Sequence, residues 1–226
     1  MTRANPGYDR LARAYRAMEF LAFGRDLEKA RFLFLERIAA GRDILLLGEG
    51  DGRCAVRLAG LAPQARIVCV DSSPAMIERA SSRIAGSAAA ERVQFVCADA
   101  RSYAPPAGGF DAVATLFFLD CFSAGDVAGI VARAGAALRP GAQWLFADFV
   151  VPESGIARLR ARAWLGLLYG FFRWETGISV RMLPPSEEII ARAGWLRVAS
   201  RDLQFGLLRS SVYARPAPIG VLSASA

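Results

Sequence analysis

The chain has 226 residues, of which 54% are hydrophobic and 22% charged, and it contains no histidine. This composition excludes a disordered or collagen-like protein, and the length is ample for one domain with a sizeable core. The 28 basic and 21 acidic residues give a net charge of +7, and the absence of histidine excludes the commonest general base and the commonest metal ligand.

The N-terminal segment is predicted to be helical. Apolar residues recur at spacings of three and four from Tyr8 to Ala39, which predicts a helical cap over residues 1–40, with a second helix around Phe32 and Ile38. No apolar core of a signal peptide occurs before Arg16, and no stretch of about 18 charge-free apolar residues is present. We therefore expect a cytoplasmic protein.

Short apolar runs then alternate with helical segments. The predicted strands are Ile44–Leu47, Ile67–Val70, Val93–Val96, Phe110–Phe118 and Gln143–Phe149. The predicted helices between them are Ala55–Leu61, Met76–Ile84 and Val127–Leu138, the last closed by Pro140-Gly141. Continuous apolar strands that alternate with helices predict a parallel sheet covered on both faces.

The last third of the chain departs from this rhythm. Residues 157–174 are nearly apolar and rich in aromatic side chains, and we assign them to a helical insertion over residues 152–183. Three explanations stay open for them: core packing, a lid over an apolar acceptor pocket, or weak contact with a membrane surface through the nearby arginines at 158, 160 and 162. A helix at Glu187–Ala193 and strands at Trp195–Asp202 and Leu207–Ala214 follow, and 216–226 is a tail.

A glycine-rich turn and two aspartates mark the predicted ligand edge. Gly48, Gly50 and Gly52 follow the first strand, while Asp71 and Asp99 end the second and third. Carboxyl ends of parallel strands meet at one edge, where nucleotide ligands bind. A carboxylate after the second strand suits the hydroxyls of a ribose, and one after the third suits an adenine amino group, with the Ala100 N–H serving the ring.

The glycine spacing argues against two other nucleotide folds. A dinucleotide fingerprint needs a third glycine where this chain has Arg53, which disfavours a nicotinamide dehydrogenase. No Gly-Lys-Ser/Thr follows the turn, so a phosphate-binding loop is not expected. Asp71 has one ordinary alternative, a helix N-cap shared with Ser72 and Ser73.

Four ordered motifs carry a family resemblance. They are Ile44–Gly52, Val70–Met76, Ala98–Ala100 and Leu138–Gly141. Together they resemble class I S-adenosylmethionine-dependent methyltransferases, and specifically the small-molecule branch that includes ubiquinone/menaquinone-type enzymes. The resemblance implies an α/β fold: a Rossmann-like doubly wound sheet over residues 41–215, seven-stranded and mostly parallel, with an antiparallel last strand.

The resemblance also assigns site residues around S-adenosylmethionine as cofactor. The three glycines would pass along its methionine part and ribose, with Asp71 and Ser72 at the ribose, Met76 and Ala100 at the adenine, Asp99 at its amino group and Leu116 at the sulfonium. Tyr15, in the motif that starts at Tyr8, resembles the tyrosine that closes over the cofactor in that branch.

One departure from the family pattern concerns the methionine ammonium group. The family often has an acidic residue two positions before the first glycine, where this chain has Leu46. Glu49, inside the glycine turn, is the acid most able to replace it. We expect the ammonium group to be held differently or more weakly.

Asp120 and Asp148 are the candidate catalytic residues, as general base or for positioning the acceptor. Asp120 lies at a predicted strand end in apolar surroundings, where burial raises the pKa of a carboxyl group, and Asp148 ends the fifth strand at the same edge. Asp120 has an equally good explanation as a helix cap. No metal is expected, since the four cysteines form no Cys-x-x-Cys pair and are predicted to be free thiols.

The predicted function is methyl transfer by in-line displacement to a small, apolar or aromatic acceptor. A cofactor-binding regulatory or scaffold protein without turnover is the alternative. A nucleic-acid methyltransferase is less expected, because residues 115–118 read Thr-Leu-Phe-Phe where amino-methylating DNA enzymes carry Asn/Asp-Pro-Pro-aromatic. The sequence leaves the acceptor and the oligomeric state open.

Overall fold

The protein is described here by a computed structural model that covers residues 25–152, 155, 158–159 and 183–215. Its helices are α1 (Asp26–Phe32), α2 (Leu35–Ile38), α3 (Arg53–Leu61), α4 (Pro74–Ile84), α5 (Ala124–Ala137) and α6 (Ser186–Arg192). Its strands are β1 (Asp43–Leu47), β2 (Arg66–Asp71), β3 (Val93–Cys97), β4 (Phe110–Leu116), β5 (Leu138–Phe149), β6 (Leu196–Leu203) and β7 (Leu208–Ala214). Most of the predicted cap, the insertion and the tail lie outside these residues.

The seven strands form one sheet in the order β3-β2-β1-β4-β5-β7-β6. Strands β1 to β5 pair in parallel, and β7 runs antiparallel to both β5 and β6. This confirms the predicted mixed sheet. The strand order reverses between β1 and β4, so the crevice at this switch point opens at the carboxyl ends of the central strands.

The apolar strands are buried because helices cover both faces of the sheet. Leu46 of β1 packs in a cluster with Ile38 and Leu58 on one face. Leu45, one residue earlier, packs with Ile130 and Trp195 on the other face. Since neighbouring side chains of a strand point to opposite faces, a continuous apolar run requires this two-sided cover. None of the helices within the described ranges is long and apolar enough to cross a membrane.

Two of the predicted boundaries are wrong. Pro140-Gly141 does not close a helix, because α5 ends at Ala137 and β5 runs from Leu138 through both residues. Gly141 has a φ of +79°, and the β4–β5 register shifts between Phe110 and Ala112, so the pair forms an irregularity inside the strand. Strand β4 ends at Leu116, two residues before the predicted end.

Asp111 stabilises the edge of the sheet opposite the ligand crevice. Its carboxylate accepts hydrogen bonds from the backbone N–H groups of Arg42 (2.8 Å) and Asp43 (3.0 Å) and from Arg139 Nη1 (2.7 Å). Arg139 also pairs with Asp43 at 3.0 Å. These contacts join the starts of β1, β4 and β5, so Asp111 has a structural role.

Candidate functional site

The turn after β1 requires glycine at three positions. Gly48, Gly50 and Gly52 have φ angles of +71°, +67° and +88°, which residues other than glycine rarely adopt. A Cβ on Gly48 would lie 2.0 Å from the Phe118 ring, and a Cβ on Gly52 would lie 2.7 Å from Ala80 Cα. A Cβ on Gly50 would have no protein atom within 4 Å. The backbone at Gly50 therefore borders open space.

The Asp71 carboxylate is held at this open space by two backbone groups. Its Oδ2 accepts a hydrogen bond from the Gly50 N–H at 2.9 Å, and its Oδ1 accepts one from the Ser73 N–H at 2.9 Å. Each carboxylate oxygen keeps capacity for a further donor. Ser73 is the N-cap of α4 and its Oγ accepts from the Met76 N–H. The helix is therefore capped by Ser73 and not by the Asp71 side chain. Ser72 lies between these two residues and is exposed.

Asp99 carries a partner that the sequence interpretation did not include. Arg101 Nε and Nη2 donate to Asp99 Oδ2 at 2.9 and 2.6 Å, and the Arg101 N–H donates to Oδ1 at 2.8 Å. The hydrogen bonds from Arg101 lower the pKa of Asp99. Any donor from a ligand shares Asp99 with this guanidinium. The adjacent Ala100 is buried.

The chain after β4 makes a strained turn towards the glycine loop. Phe117 has a φ of +55°, which is costly for an aromatic residue, and its N–H donates to the Ala147 carbonyl at 2.7 Å. The turn places the Phe118 ring against Gly48 and leaves Leu116 buried at the strand end. Such a turn closes one side of the crevice with apolar surface.

The turn also brings the two candidate catalytic residues together. The Asp120 N–H donates to Asp148 Oδ2 at 3.2 Å, and the Phe149 N–H donates to Asp148 Oδ1 at 2.9 Å. The Cys121 thiol donates a hydrogen bond to Asp120 Oδ1, with an Sγ–Oδ1 distance of 3.5 Å. Burial raises the pKa of Asp120 to about 6. Burial and the charge of Asp120 raise the pKa of Asp148 well above its usual value, so the two carboxyl groups titrate as a coupled pair.

Glu49 lies under the glycine turn. Its side chain is buried, and its Oε1 accepts a hydrogen bond from the Ala55 N–H, in the first turn of α3, at 2.9 Å. A carboxylate there satisfies a free helix N–H and lies at the positive end of the helix dipole. Burial raises its pKa to about 7. The acid that we expected to replace Leu46 is thus engaged with a helix end.

Replacing Glu49 with glutamine should make the stability of the protein less dependent on pH. The folded-state pKa is about 7 against 4.5 for an exposed carboxyl, so wild-type stability falls as the pH rises through this window. A glutamine keeps an acceptor for the Ala55 N–H and does not ionise. We expect Glu49→Gln to be more stable by about 1–3 kcal/mol at pH 8 and no more stable at pH 4.5.

Urea denaturation at the two pH values measures this difference. Glu36→Gln, which changes an exposed glutamate of α2, is the control and should follow the wild-type pH dependence. An equal change at both pH values would contradict a buried, titrating Glu49.

A large cavity lies beyond the carboxyl end of β5. It has a volume of about 740 Å³ and is lined in part by Phe149, Trp195 and Tyr213. Glu187 forms its polar wall, accepting hydrogen bonds from Tyr213 Oη (2.9 Å) and Arg209 Nη1 (2.8 Å). The sequence did not predict this polar wall. Glu187 lies at the start of an ordinary helix and Arg209 in an ordinary strand, and neither position has a motif that indicates a site.

Two predicted site elements lie outside the described residues. They are Tyr15, expected to close over the cofactor, and most of the apolar stretch 157–174.

Comparison with known proteins gives one family match. Residues 44–141 match a family model described as a methyltransferase domain. No curated protein matches the chain in sequence. The matched residues run from β1 to the first residues of β5 and contain the glycine turn, Asp71 and Asp99.

Solved structures share the fold at low identity. Mitomycin 7-O-methyltransferase MmcR superposes with a TM-score of 0.66 at 18% identity, covering 90% of this chain and 58% of its own. The 1,6-didemethyltoxoflavin-N1-methyltransferase of Burkholderia thailandensis, with its substrate and S-adenosylhomocysteine bound, has a TM-score of 0.60 at 18% identity, covering 96% and 92%. The [4+2]-cyclase SpnF has a TM-score of 0.60 at 18% identity, covering 81% and 80%. At this identity the likeness shows the fold alone.

Proposed function

We propose that this chain methylates a small, apolar or aromatic acceptor, since residues 44–141 match a methyltransferase-domain model and their motifs resemble class I S-adenosylmethionine-dependent methyltransferases. S-adenosylmethionine is the cofactor of this family. The observation that carries the proposal is the hydrogen bond from the Gly50 N–H to Asp71, which aims a carboxylate with spare acceptor capacity at the open side of the glycine turn. The four cysteines are free, in keeping with a reducing compartment such as the cytoplasm.

The residues at the crevice fit this cofactor. Asp71 offers acceptors for the ribose hydroxyls, and Asp99, shared with Arg101, offers one for an adenine amino group. Gly50 leaves room for a ligand to approach the backbone. Met76 and Ala100 supply apolar contact for the adenine, while Tyr15 stays a proposed lid. When bound, the cofactor supplies a methyl group on a sulfonium, with a neutral thioether as leaving group.

The protein contributes placement, exclusion of water and a proton acceptor. Leu116 and the Phe118 ring line the crevice with apolar surface, which keeps water from the reacting atoms. In-line placement supplies about 7–11 kcal/mol in favourable cases. The Asp120 carboxylate takes a proton from the acceptor where the acceptor must lose one, which adds about 10²–10⁴ in rate.

A ligand titration read by melting temperature tests this proposal. Saturation at 100 times Kd should add about 2.7 kcal/mol of stability. We expect S-adenosylmethionine and S-adenosylhomocysteine to raise the melting temperature by about 5–10 °C and NAD to leave it unchanged. A shift with NAD alone, or none with either sulfur compound, would contradict the proposal.

Gly50→Ala should weaken ligand binding strongly while reducing the stability of the fold only slightly. The variant loses about 1 kcal/mol of stability, because alanine is strained at a φ of +67° but meets no neighbouring atom. Its methyl group occupies the space beside Asp71, so S-adenosylhomocysteine binding should weaken at least tenfold by calorimetry.

Gly86→Ala is the matched control, with a φ of +75° in equally open space. It should lose similar stability and bind S-adenosylhomocysteine with wild-type affinity. Equal affinity in both variants would place the ligand away from Gly50.

The departure at Leu46 favours a second candidate, a cofactor-binding protein without methyl transfer. Leu46 is a buried apolar residue where the family often has an acid, and the Glu49 carboxylate is bound to a helix end. Neither position therefore offers a free carboxylate to an ammonium group. This candidate predicts a melting-temperature shift with S-adenosylmethionine but no formation of S-adenosylhomocysteine across a broad panel of acceptors.

A further inference from the structure

A small pocket lies at the start of the glycine turn. Its volume is about 10 Å³, and its lining includes Arg31 from α1, Gly48 and Glu49 from the turn, and Leu116 from the end of β4. Among the described residues that line it, Arg31 and Glu49 are the charged ones. A volume of this size holds one water-sized group, such as an oxygen of a carboxylate. The pocket therefore suits the small polar end of a ligand rather than its body.

The Arg31 side chain is held at this pocket by an aromatic ring. Arg31 lies in the last turn of α1 and is half-buried. Its Cζ lies 5.6 Å from the centroid of the Phe117 ring, in a cation–π contact. Phe117 belongs to the strained turn after β4, and its ring packs edge-on against Phe149 with 5.4 Å between the centroids. Because an arginine side chain has five N–H donors, this contact leaves donors for an anion.

The charge balance of the pocket favours an anionic group. Arg31 stays ionised at physiological pH, whereas burial raises the pKa of Glu49 to about 7. The charge of Arg31 lowers the pKa of Glu49 against this larger effect, although no ion pair within the described ranges joins the two side chains. Glu49 is also bound to the Ala55 N–H of α3. Near neutral pH the pocket therefore carries a full positive charge and only part of a negative one.

We propose that Arg31 binds the carboxylate of the methionine part of S-adenosylmethionine, so that the site holds this end of the cofactor by its carboxylate rather than by its ammonium group. The inference rests on the proposed function and deepens it. The carboxylate is the only anionic group of the cofactor, and a guanidinium suits a carboxylate because it offers two donors in one plane.

Two features of the site support this assignment. Leu116, which is proposed beside the sulfonium, lines the same pocket, and only a short carbon chain separates the sulfur of the cofactor from its carboxylate. Leu46 lines the pocket where the family often has an acid, so the position that would receive the ammonium group is apolar. An arginine at the carboxylate supplies the binding that this apolar position does not.

Two analogues of S-adenosylhomocysteine test which group of the methionine part is bound. One lacks the carboxylate and the other lacks the amino group, and each is titrated by calorimetry into the full chain at pH 6.5. We expect loss of the carboxylate to raise Kd at least tenfold and loss of the amino group to raise it less than threefold. The opposite order would overturn the inference.

Arg31→Met should remove the preference for the carboxylate. The variant loses the charge but keeps an unbranched side chain. We expect S-adenosylhomocysteine to bind at least tenfold more weakly, and the decarboxylated analogue to stay within threefold of its wild-type affinity. Arg31→Lys keeps the charge without the planar pair of donors and should retain at least a threefold preference. A merely structural role of Arg31 would weaken both ligands equally and leave their ratio unchanged.

Arg57→Met is the matched control. Arg57 makes the same kind of contact, with its Cζ 4.9 Å from the centroid of the Phe32 ring, and it does not line the pocket. The variant should keep the tenfold preference for the carboxylate. An equal loss of preference in Arg31→Met and Arg57→Met would mean that the net charge around the site sets the preference, and the assignment of Arg31 would then fail.

The outcomes distinguish this inference from the function on which it rests. Failure of S-adenosylhomocysteine to bind the wild-type chain would remove the proposed function as well. If it binds but the two analogues bind equally, or if Arg31→Met keeps the wild-type ratio, the assignment of Arg31 alone is overturned. The comparison of analogues on the wild-type chain needs no variant, so it decides the inference even where a substitution prevents folding.

Discussion

Asp71→Ala should weaken S-adenosylhomocysteine binding by at least 100-fold. Two hydrogen bonds from ribose hydroxyls to a carboxylate contribute about 1.5–3 kcal/mol each, and each 1.4 kcal/mol is a factor of ten in Kd. The substitution also removes the acceptor of the Gly50 N–H and thereby loosens the turn on which the cofactor lies. Calorimetry with the purified variant measures the change directly.

Two further variants separate the ribose contact from general disturbance of the loop. Asp71→Asn keeps an acceptor for one backbone N–H but loses the charge, so we expect a smaller loss of about 10- to 30-fold. Asp51→Asn changes a carboxylate of the same turn that is paired with Arg53 and Arg83, and its affinity should stay within threefold of wild type. Similar losses in Asp71→Ala and Asp51→Asn would place the ribose elsewhere.

Gly52→Ala should destabilise the protein strongly. The φ of +88° strains alanine, and its Cβ would lie 2.7 Å from Ala80 Cα and 2.9 Å from Ala80 Cβ. The contact is with the backbone of α4, so relief requires the helix and the turn to separate. We expect a loss of about 3 kcal/mol or more in the free energy of unfolding.

Urea denaturation of Gly52→Ala beside Gly86→Ala isolates the packing part of this loss. Gly86 has a comparable φ of +75° and no neighbour within 4 Å, so its substitution reports backbone strain alone, about 1 kcal/mol. Equal losses in the two variants would mean that α4 yields easily and that Gly52 is needed only for its backbone conformation.

The predicted sheet agrees with the structure because its strands carry a strong local signal. A run such as Ile44–Leu47 is apolar at every position, and only a strand covered on both faces buries all of it. Asp71 was identifiable for a related reason, since a charged residue directly after such a run lies at the strand end. The Pro140-Gly141 boundary was missed because the same pair ends a helix or forms a bulge, and pairing with β4 decided between them.

The geometry of the candidate site depends more than the sheet does on contacts between residues that are far apart in the sequence. Asp120 and Asp148 are 28 positions apart in the sequence. The chain reaches Asp120 through a turn at Phe117 with a positive φ, and no sequence pattern predicts that conformation. Glu49 was expected near the cofactor because it lies in the glycine turn. Its side chain instead meets a free N–H of α3, and a side chain in a turn has no periodicity that shows its direction.

The sequence by itself determined the class of fold, the glycine turn and the aspartate at the end of β2, because each follows from strand burial or from conformations that glycine alone adopts freely. Only the tertiary structure decided which charges are compensated. Arg101 binds Asp99 and Arg209 binds Asp202 and Glu187, whereas no arginine or lysine within the described ranges pairs with Asp120 or Asp148. Charge pairing depends on distances of a few ångströms and on burial, and these arise only when the strands have assembled.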